Sequence, residues 1–157
     1  MTNTIPYSRG LYFEEFEVGQ KVISVGRTVT ESDIVNFAGL SGDFNQIHTD
    51  VEYSRATQYG RRVAHGLLGM SIASGLAMRT GILENTVLFF REIDNWKFNK
   101  SIFIGDTIHV EMEVTETKPL ARIGGGSVVI TVDVKKQNGE TTMKGNWIVL
   151  VMSKPAE

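Results

Sequence analysis

Residues 63–80 read VAHGLLGMSIASGLAMRT, and this stretch decides the fold. Apolar residues recur in pairs at a step near four: Val63-Ala64, Leu67-Leu68, Ile72-Ala73 and Leu76-Ala77. That spacing predicts a helix over Val63–Thr80. Met70 and Met78 widen the stripe, so the helix is expected to be apolar most of the way round and buried. Gly66, Gly69 and Gly75 weaken helix propensity, but they remove side chains and let a sheet or a ligand come close. Gly81 is a natural stop. The apolar run from Val63 to Met78 is a little short for a membrane span and is interrupted by His65, Ser71 and Ser74, with Arg79 following at once. A buried helix is the reading, with no membrane partner.

Downstream of Gly81 the period becomes two. Ile108, Val110, Met112 and Val114 alternate with His109, Glu111, Glu113 and Thr115. Val128 to Val134 and Trp147 to Met152 alternate in the same way, which predicts strands with one buried face. Asn138-Gly139 between the last two is a hairpin turn. Val87–Phe98 reads as a further strand and Lys21–Val29 as an early one. Upstream, Thr30–Phe37 reads as a short helix capped by Thr30, with Glu31 and Asp33 at the positive end of its dipole and Gly39 and Gly42 ending it. Leu40–Asp50 (LSGDFNQIHTD) has no period and reads as a loop. The order predicts an α+β protein, an antiparallel sheet wrapped around one long helix. Pro6, Pro119 and Pro155 are expected near the ends or in loops. With no repeat, low-complexity tract or linker, residues 1–157 are read as a single domain.

The chain has 157 residues, enough to bury a core. Lys and Arg total 16 against 18 Asp and Glu, a balance that argues against nucleic-acid binding by phosphate neutralisation. Hydrophobic residues are 41% and charged residues 22%, which excludes wholesale disorder. The absence of cysteine excludes a disulfide scaffold, a thiolate metal site and a cysteine nucleophile. Residues 1–10 are polar and lack the basic start and apolar run of a signal peptide, and a cytoplasmic protein is expected.

Chemistry concentrates in SGDFNQIHTD. Asp43, Asn45 and His48 place an acid, an amide and an imidazole within six residues, the minimum for moving a proton on and off water. Asp43 is suited to hold the imidazole or share a water with it, and Asn45 to orient the loop through its backbone. The same letters are also ordinary turn chemistry. The second place is His65-Gly66, where a helix N-terminus offers unpaired N–H groups and Gly66 lets an oxygen approach. That is how an oxyanion is held. The alternative there is a plain helix start with a satisfied histidine. Ser71, one and a half turns on, is a pocket hydroxyl or a small residue packed on the sheet. His109 reads as solvated surface beside Glu111 and Glu113. His48, Asp50 and His65 lack zinc-type spacing, and no metal site is expected. Arg55, Arg61 and Arg62 form a basic cluster, solvated or facing phosphates or a substrate carboxylate.

Gly42-Asp43-Phe44-Asn45-Gln46-Ile47-His48 resembles the hydratase motif of the MaoC-like, (R)-specific enoyl-CoA hydratase family. Ala64-His65-Gly66-Leu67-Leu68 resembles that family's helix start, Phe103-Ile104-Gly105-Asp106-Thr107 its strand turn, and Phe13–Gly19 its opening. Together they extend from about Tyr12 to Met152. The resemblance implies the hot-dog fold and a hydro-lyase that interconverts a trans-2-enoyl-CoA thioester with an (R)-3-hydroxyacyl-CoA. It implies Asp43 and His48 as catalytic pair and the Gly66 N–H as oxyanion donor. Ser71, Asn45 and His65 are expected beside the substrate, an acyl-CoA or acyl-carrier thioester. CoA enters as part of the substrate, and no cofactor is expected. Family members usually carry proline where this chain has Gln46, which leaves the loop freer. Two alternatives are weighed. A hot-dog acyl-CoA thioesterase often places a carboxylate on the central helix, and Val63–Thr80 has none. A non-catalytic acyl-carrier-binding subunit is the other, although both members of the pair are present. Open sheet edges and the likeness together predict a homodimer or a dimer of dimers.

Overall fold

Thr30 caps the first helix, α1 (Glu31–Ser41). Its Oγ1 accepts from the Asp33 amide at 3.3 Å, while the Asp33 carboxylate accepts from the Thr30 N–H at 2.8 Å. This reciprocal cap satisfies two donors that the helix itself cannot. The helix runs past Phe37 because Ile34 and Ala38 bury one continuous face. Gly39 lies inside it, and Gly42, at φ +75°, ends it. The computed structural model describes residues 10–156, so Pro6 and most of the stretch read for a signal peptide lie outside the described residues.

The expected loop Leu40–Asp50 is more ordered than its composition suggests. It closes α1 and then forms α2 (Gln46–Thr49), followed by α3 (Val51–Arg55). Asn45 caps α2, accepting from Ile47 N at 3.2 Å, and Asp50 caps α3, accepting from Tyr53 N at 2.9 Å. A single turn is too short to show a period, which is why the pattern missed it.

The long helix, α4, spans Gly66–Met78 with His65 at its N-cap. It starts later than the apolar spacing predicts. Val63 and Ala64 are extended: Val63 N donates to Ile47 O, Ala64 N to Ile102 O, and Val63 bridges Phe103 in antiparallel fashion. Tertiary backbone bonds therefore override the helical periodicity there.

Strands β1 (Lys21–Ile23), β2 (Arg27–Thr28), β3 (Val87–Phe98), β4 (Thr107–Leu120), β5 (Gly125–Lys136) and β6 (Thr141–Met152) form a six-stranded sheet in the order β1-β4-β5-β6-β3, with β2 also on β4. Every pairing is antiparallel. The early strand expected over Lys21–Val29 is broken in two at Ser24, whose Oγ takes the Val110 N–H that a continuous ladder would use. Gly139, at φ +82°, turns the β5–β6 hairpin as the Asn138-Gly139 pair predicts, and its N–H bonds to Lys136 O. Pro119 lies in β4 and not in a loop, opposite Gly126 and beyond the reach of β1. There β4 has one bonded neighbour, and a missing N–H is tolerated.

The sheet curves against α4 in the hot-dog arrangement. Ile108, Val110, Met112 and Val114 of β4, Val128, Ile130, Val132 and Val134 of β5, and Trp147, Val149 and Val151 of β6 meet Leu68, Ile72, Ala73, Leu76 and Ala77 in one core. Gly69 allows the closest approach: a Cβ there would lie 2.7 Å from Met143 Cε and 3.0 Å from Ile102 Cδ1. The composition of α4 predicts a helix apolar most of the way round and buried, but one side is open. Leu67 is 59% exposed, and Ser71, Ser74, Gly75 and Met78 share that open side, because the sheet of one chain covers only one face. Strand β3 lies at a sheet edge with Leu88, Phe89, Phe90, Ile93 and Phe98 exposed. No helix among the described residues is long and apolar enough to cross a membrane.

Ile72 is 4% exposed on the packed face. Ile72→Ala is expected to cost about 2–5 kcal/mol in urea unfolding, and Ser74→Ala on the open face less than about 0.5 kcal/mol.

Candidate active site

Asp43, His48 and His65 come from three different elements and meet at one place. Gly42 turns the chain out of α1, and Asp43 follows it, with Oδ1 accepting the Asn45 N–H at 3.2 Å. That turn and the Asn45 cap aim α2 so that His48 points inward and is 7% exposed. His65, at the cap of α4, is 3% exposed. One ring nitrogen of each histidine and one Asp43 carboxylate oxygen lie within 4.8 Å of one another. Asp43 itself is exposed, so the cluster spans the boundary between core and solvent.

Backbone carbonyls fix the histidine tautomers. His48 Nδ1 is 2.7 Å from Val63 O, and a carbonyl only accepts, so the proton sits on Nδ1 and Nε2 keeps its lone pair. His65 Nε2 donates to Asp43 O at 2.9 Å. The two rings stack with centroids 3.8 Å apart and planes 28° apart, and Phe37 packs against His65 at 5.0 Å. Burial pushes the His48 pKa below the ordinary histidine value, with the neighbouring His65 adding to the shift, while the Val63 bond and the Asp43 charge oppose it. His48 is therefore a neutral base at neutral pH.

Gly66 opens α4, so its N–H is among those with no acceptor inside the helix. The Phe98 ring lies close to Gly66: a Cβ at position 66 would sit 2.9 Å from Phe98 Cδ1 and Cε1. His48, His65, Gly66 and Phe98 line one cleft of about 470 Å³, together with Tyr59 and Met143. The sequence offered no sign of Phe98 or Tyr59 here, because both arrive through tertiary packing. A base with a free lone pair, an adjacent carboxylate and a bare helix-terminal amide can move a proton and hold a developing negative charge.

The remaining candidates separate. Asn45 Oδ1 is engaged by the Ile47 N–H, the loop-orienting role open to it. Ser71 lies on the open side of α4, its Oγ donating to Leu67 O at 2.8 Å, and it does not pack on the sheet. The arginines do not form one patch. Arg55 pairs with Glu52, Arg62 with Glu31, and Arg61 lies 4.0 Å above the Phe103 ring. His109 is half-buried, not solvated surface, 3.4 Å from Glu111, which also accepts from Lys135. Asp50 is occupied as the cap of α3. Asp43, His48 and His65 are close enough to be considered as metal ligands. The two histidine rings of that group are stacked, with planes 28° apart.

Known proteins resemble this chain in sequence and in fold. The chain is 39% identical over 101 residues to Protein MaoC of Klebsiella aerogenes, a match that covers 64% of this chain and 30% of that protein. It is 31% identical over 140 residues to an (R)-specific enoyl-CoA hydratase of Rhodospirillum rubrum, covering 89% and 91% of the two chains. The solved structure of an unliganded R-hydratase from Pseudomonas aeruginosa superposes with a TM-score of 0.77 at 27% identity, over 94% of this chain and 93% of that one. The MaoC like domain profile matches residues 14–138, and with it the chain belongs to the MaoC-like domain family.

Proposed function

We propose that the protein is a hydro-lyase that adds water to a trans-2-enoyl thioester of CoA, or removes it from the (R)-3-hydroxyacyl thioester. The observation that carries this reading is the His48 Nε2 lone pair, fixed by the Val63 carbonyl, with the Asp43 carboxylate in the same cluster and Gly66 lining the same cleft as His48. The Rhodospirillum rubrum relative, named for this activity, supports it.

In the hydration direction, His48 and Asp43 hold a water and take its proton as oxygen bonds to Cβ. Negative charge moves to the thioester oxygen, where the Gly66 N–H receives it. The pair then returns a proton to Cα, so the water is added complete and no redox step or cofactor is required. The absence of a carboxylate from α4 leaves the thioesterase alternative without its usual base.

The open face of α4 and the exposed apolar edge of β3 are what a second copy would cover. We propose a homodimer or an assembly of dimers, and light scattering at micromolar concentration is expected to give at least twice the 17.4 kDa of the chain.

Asp43→Asn and His48→Ala are each expected to lower kcat for crotonyl-CoA hydration by about 10²–10⁴ with little change in KM. The double variant is expected to be scarcely worse, and His109→Gln silent. Chiral analysis should give the R alcohol. Folded single variants with near-normal kcat, an S product, or release of free thiol in place of hydration would each overturn the assignment.

The pH dependence follows from the His48 shift. A base must be neutral to act, and His48 becomes protonated only below its lowered pKa. The acid limb of kcat/KM is therefore expected below the ordinary histidine value of about 6.5. A limb above it would contradict the assignment of His48 as base.

A further inference from the structure

His65 is buried and titratable, and the proposed chemistry does not use it. Its contacts are unusual in that each reaches a different part of the site. Nε2 donates to the Asp43 carbonyl at 2.9 Å. Its ring face backs His48 at 3.8 Å. Its own carbonyl accepts from Gly69 N, which fixes it to the first turn of α4, where the Gly66 amide is exposed. Phe37 of α1 closes the remaining side at 5.0 Å.

The Asp43 loop depends on an anchor of this kind. Its other hydrogen bonds are local: Gly42 N to Ala38 O, Phe44 N to Gly42 O, Asp43 N to Ser41 Oγ, and Asn45 N to the Asp43 carboxylate. His65 lies 22 positions away in sequence and crosses to the loop from the helix behind it. Its Nδ1 is buried without a hydrogen-bond partner. The carbonyl partner only accepts, so Nε2 carries the proton and donates it to Asp43.

We propose that His65 is a positioning residue that ties the Asp43 loop to the His48 ring and to the start of α4, holding acid, base and oxyanion donor in one register. The proposal rests on the hydratase reading of Asp43 and His48. His65 itself touches no reacting atom in it. A positional error of about 1 Å at such a pair is worth about 10²-fold in rate.

Two substitutions separate this role from plain packing. His65→Phe keeps a flat ring against His48 and removes the donor; His65→Gln loses the ring but carries an amide N–H that reaches the Asp43 carbonyl. If His65 only fills space, the apolar phenylalanine is the better replacement. If it positions, His65→Phe lowers kcat for crotonyl-CoA hydration by about 10²-fold, with KM little changed and thermal stability kept. His65→Gln then exceeds it by about tenfold or more in kcat while being no more stable. Folded His65→Phe at wild-type kcat, or His65→Gln no better than His65→Phe, overturns the proposal. The carbonyl ¹³C resonance of Asp43 reads the tie without any substrate: it shifts in His65→Phe and returns toward wild type in His65→Gln. An unmoved resonance in His65→Phe also overturns it. Wild-type protein without crotonyl-CoA turnover defeats the hydratase reading instead, and the resonance then decides the tie alone.

Discussion

The site depends on two residues that are neither helix nor strand. Val63 and Ala64 form a short extended link, and nearly every polar group of that link is committed elsewhere. The Val63 N–H goes to Ile47 O at the back of α2, its carbonyl receives His48 Nδ1, and the Ala64 N–H goes to Ile102 O beside the sheet. A single peptide segment thus fixes the distance between α2, α4 and the sheet edge, and it sets which nitrogen of His48 is left bare. Had Val63 continued the helix, its carbonyl would have turned along the α4 axis to accept from within the helix, and His48 would have lost the acceptor that selects its tautomer.

Packing supplies the rigidity around this link. Gly69 brings the backbone of α4 onto Met143 and Ile102, and the strand residues behind them are almost completely shielded from water. Interiors packed in this way do not deform gradually. The cost of displacing α4 is therefore borne by the whole core, which is what allows a bare amide at its start to keep a fixed position relative to an imidazole on a four-residue helix.

Much of this was legible in the sequence, for physical reasons that differ from one element to the next. Strands β4 to β6 announce themselves because one face is buried and the other is not, so the side-chain period survives in the letters. Asp43, His48 and Gly66 were legible because their types suit one chemistry and their spacing resembles a known motif. The start of α4 was misplaced by three residues' worth of apolar pattern, since Val63 and Ala64 are apolar for the sheet contact and not for a helical face. α2 was hidden by its single turn. The stacking of His48 on His65 was invisible, because residues 17 positions apart meet only once α2 and α4 are both docked. The open side of α4 was missed for the opposite reason: composition reports that a face is apolar, not whether one chain can cover it.

Phe98 joins two properties that would otherwise be separate. It is the last residue of the edge strand β3, 53% exposed, and its ring lies close to Gly66, whose amide is read as the oxyanion donor. A chain that adds along the free edge of β3 would press on that same ring. With the proposed dimer and the proposed hydration both in place, one phenyl group would couple assembly to turnover, and dilution, which acts on association alone, would also be felt as a change in specific activity.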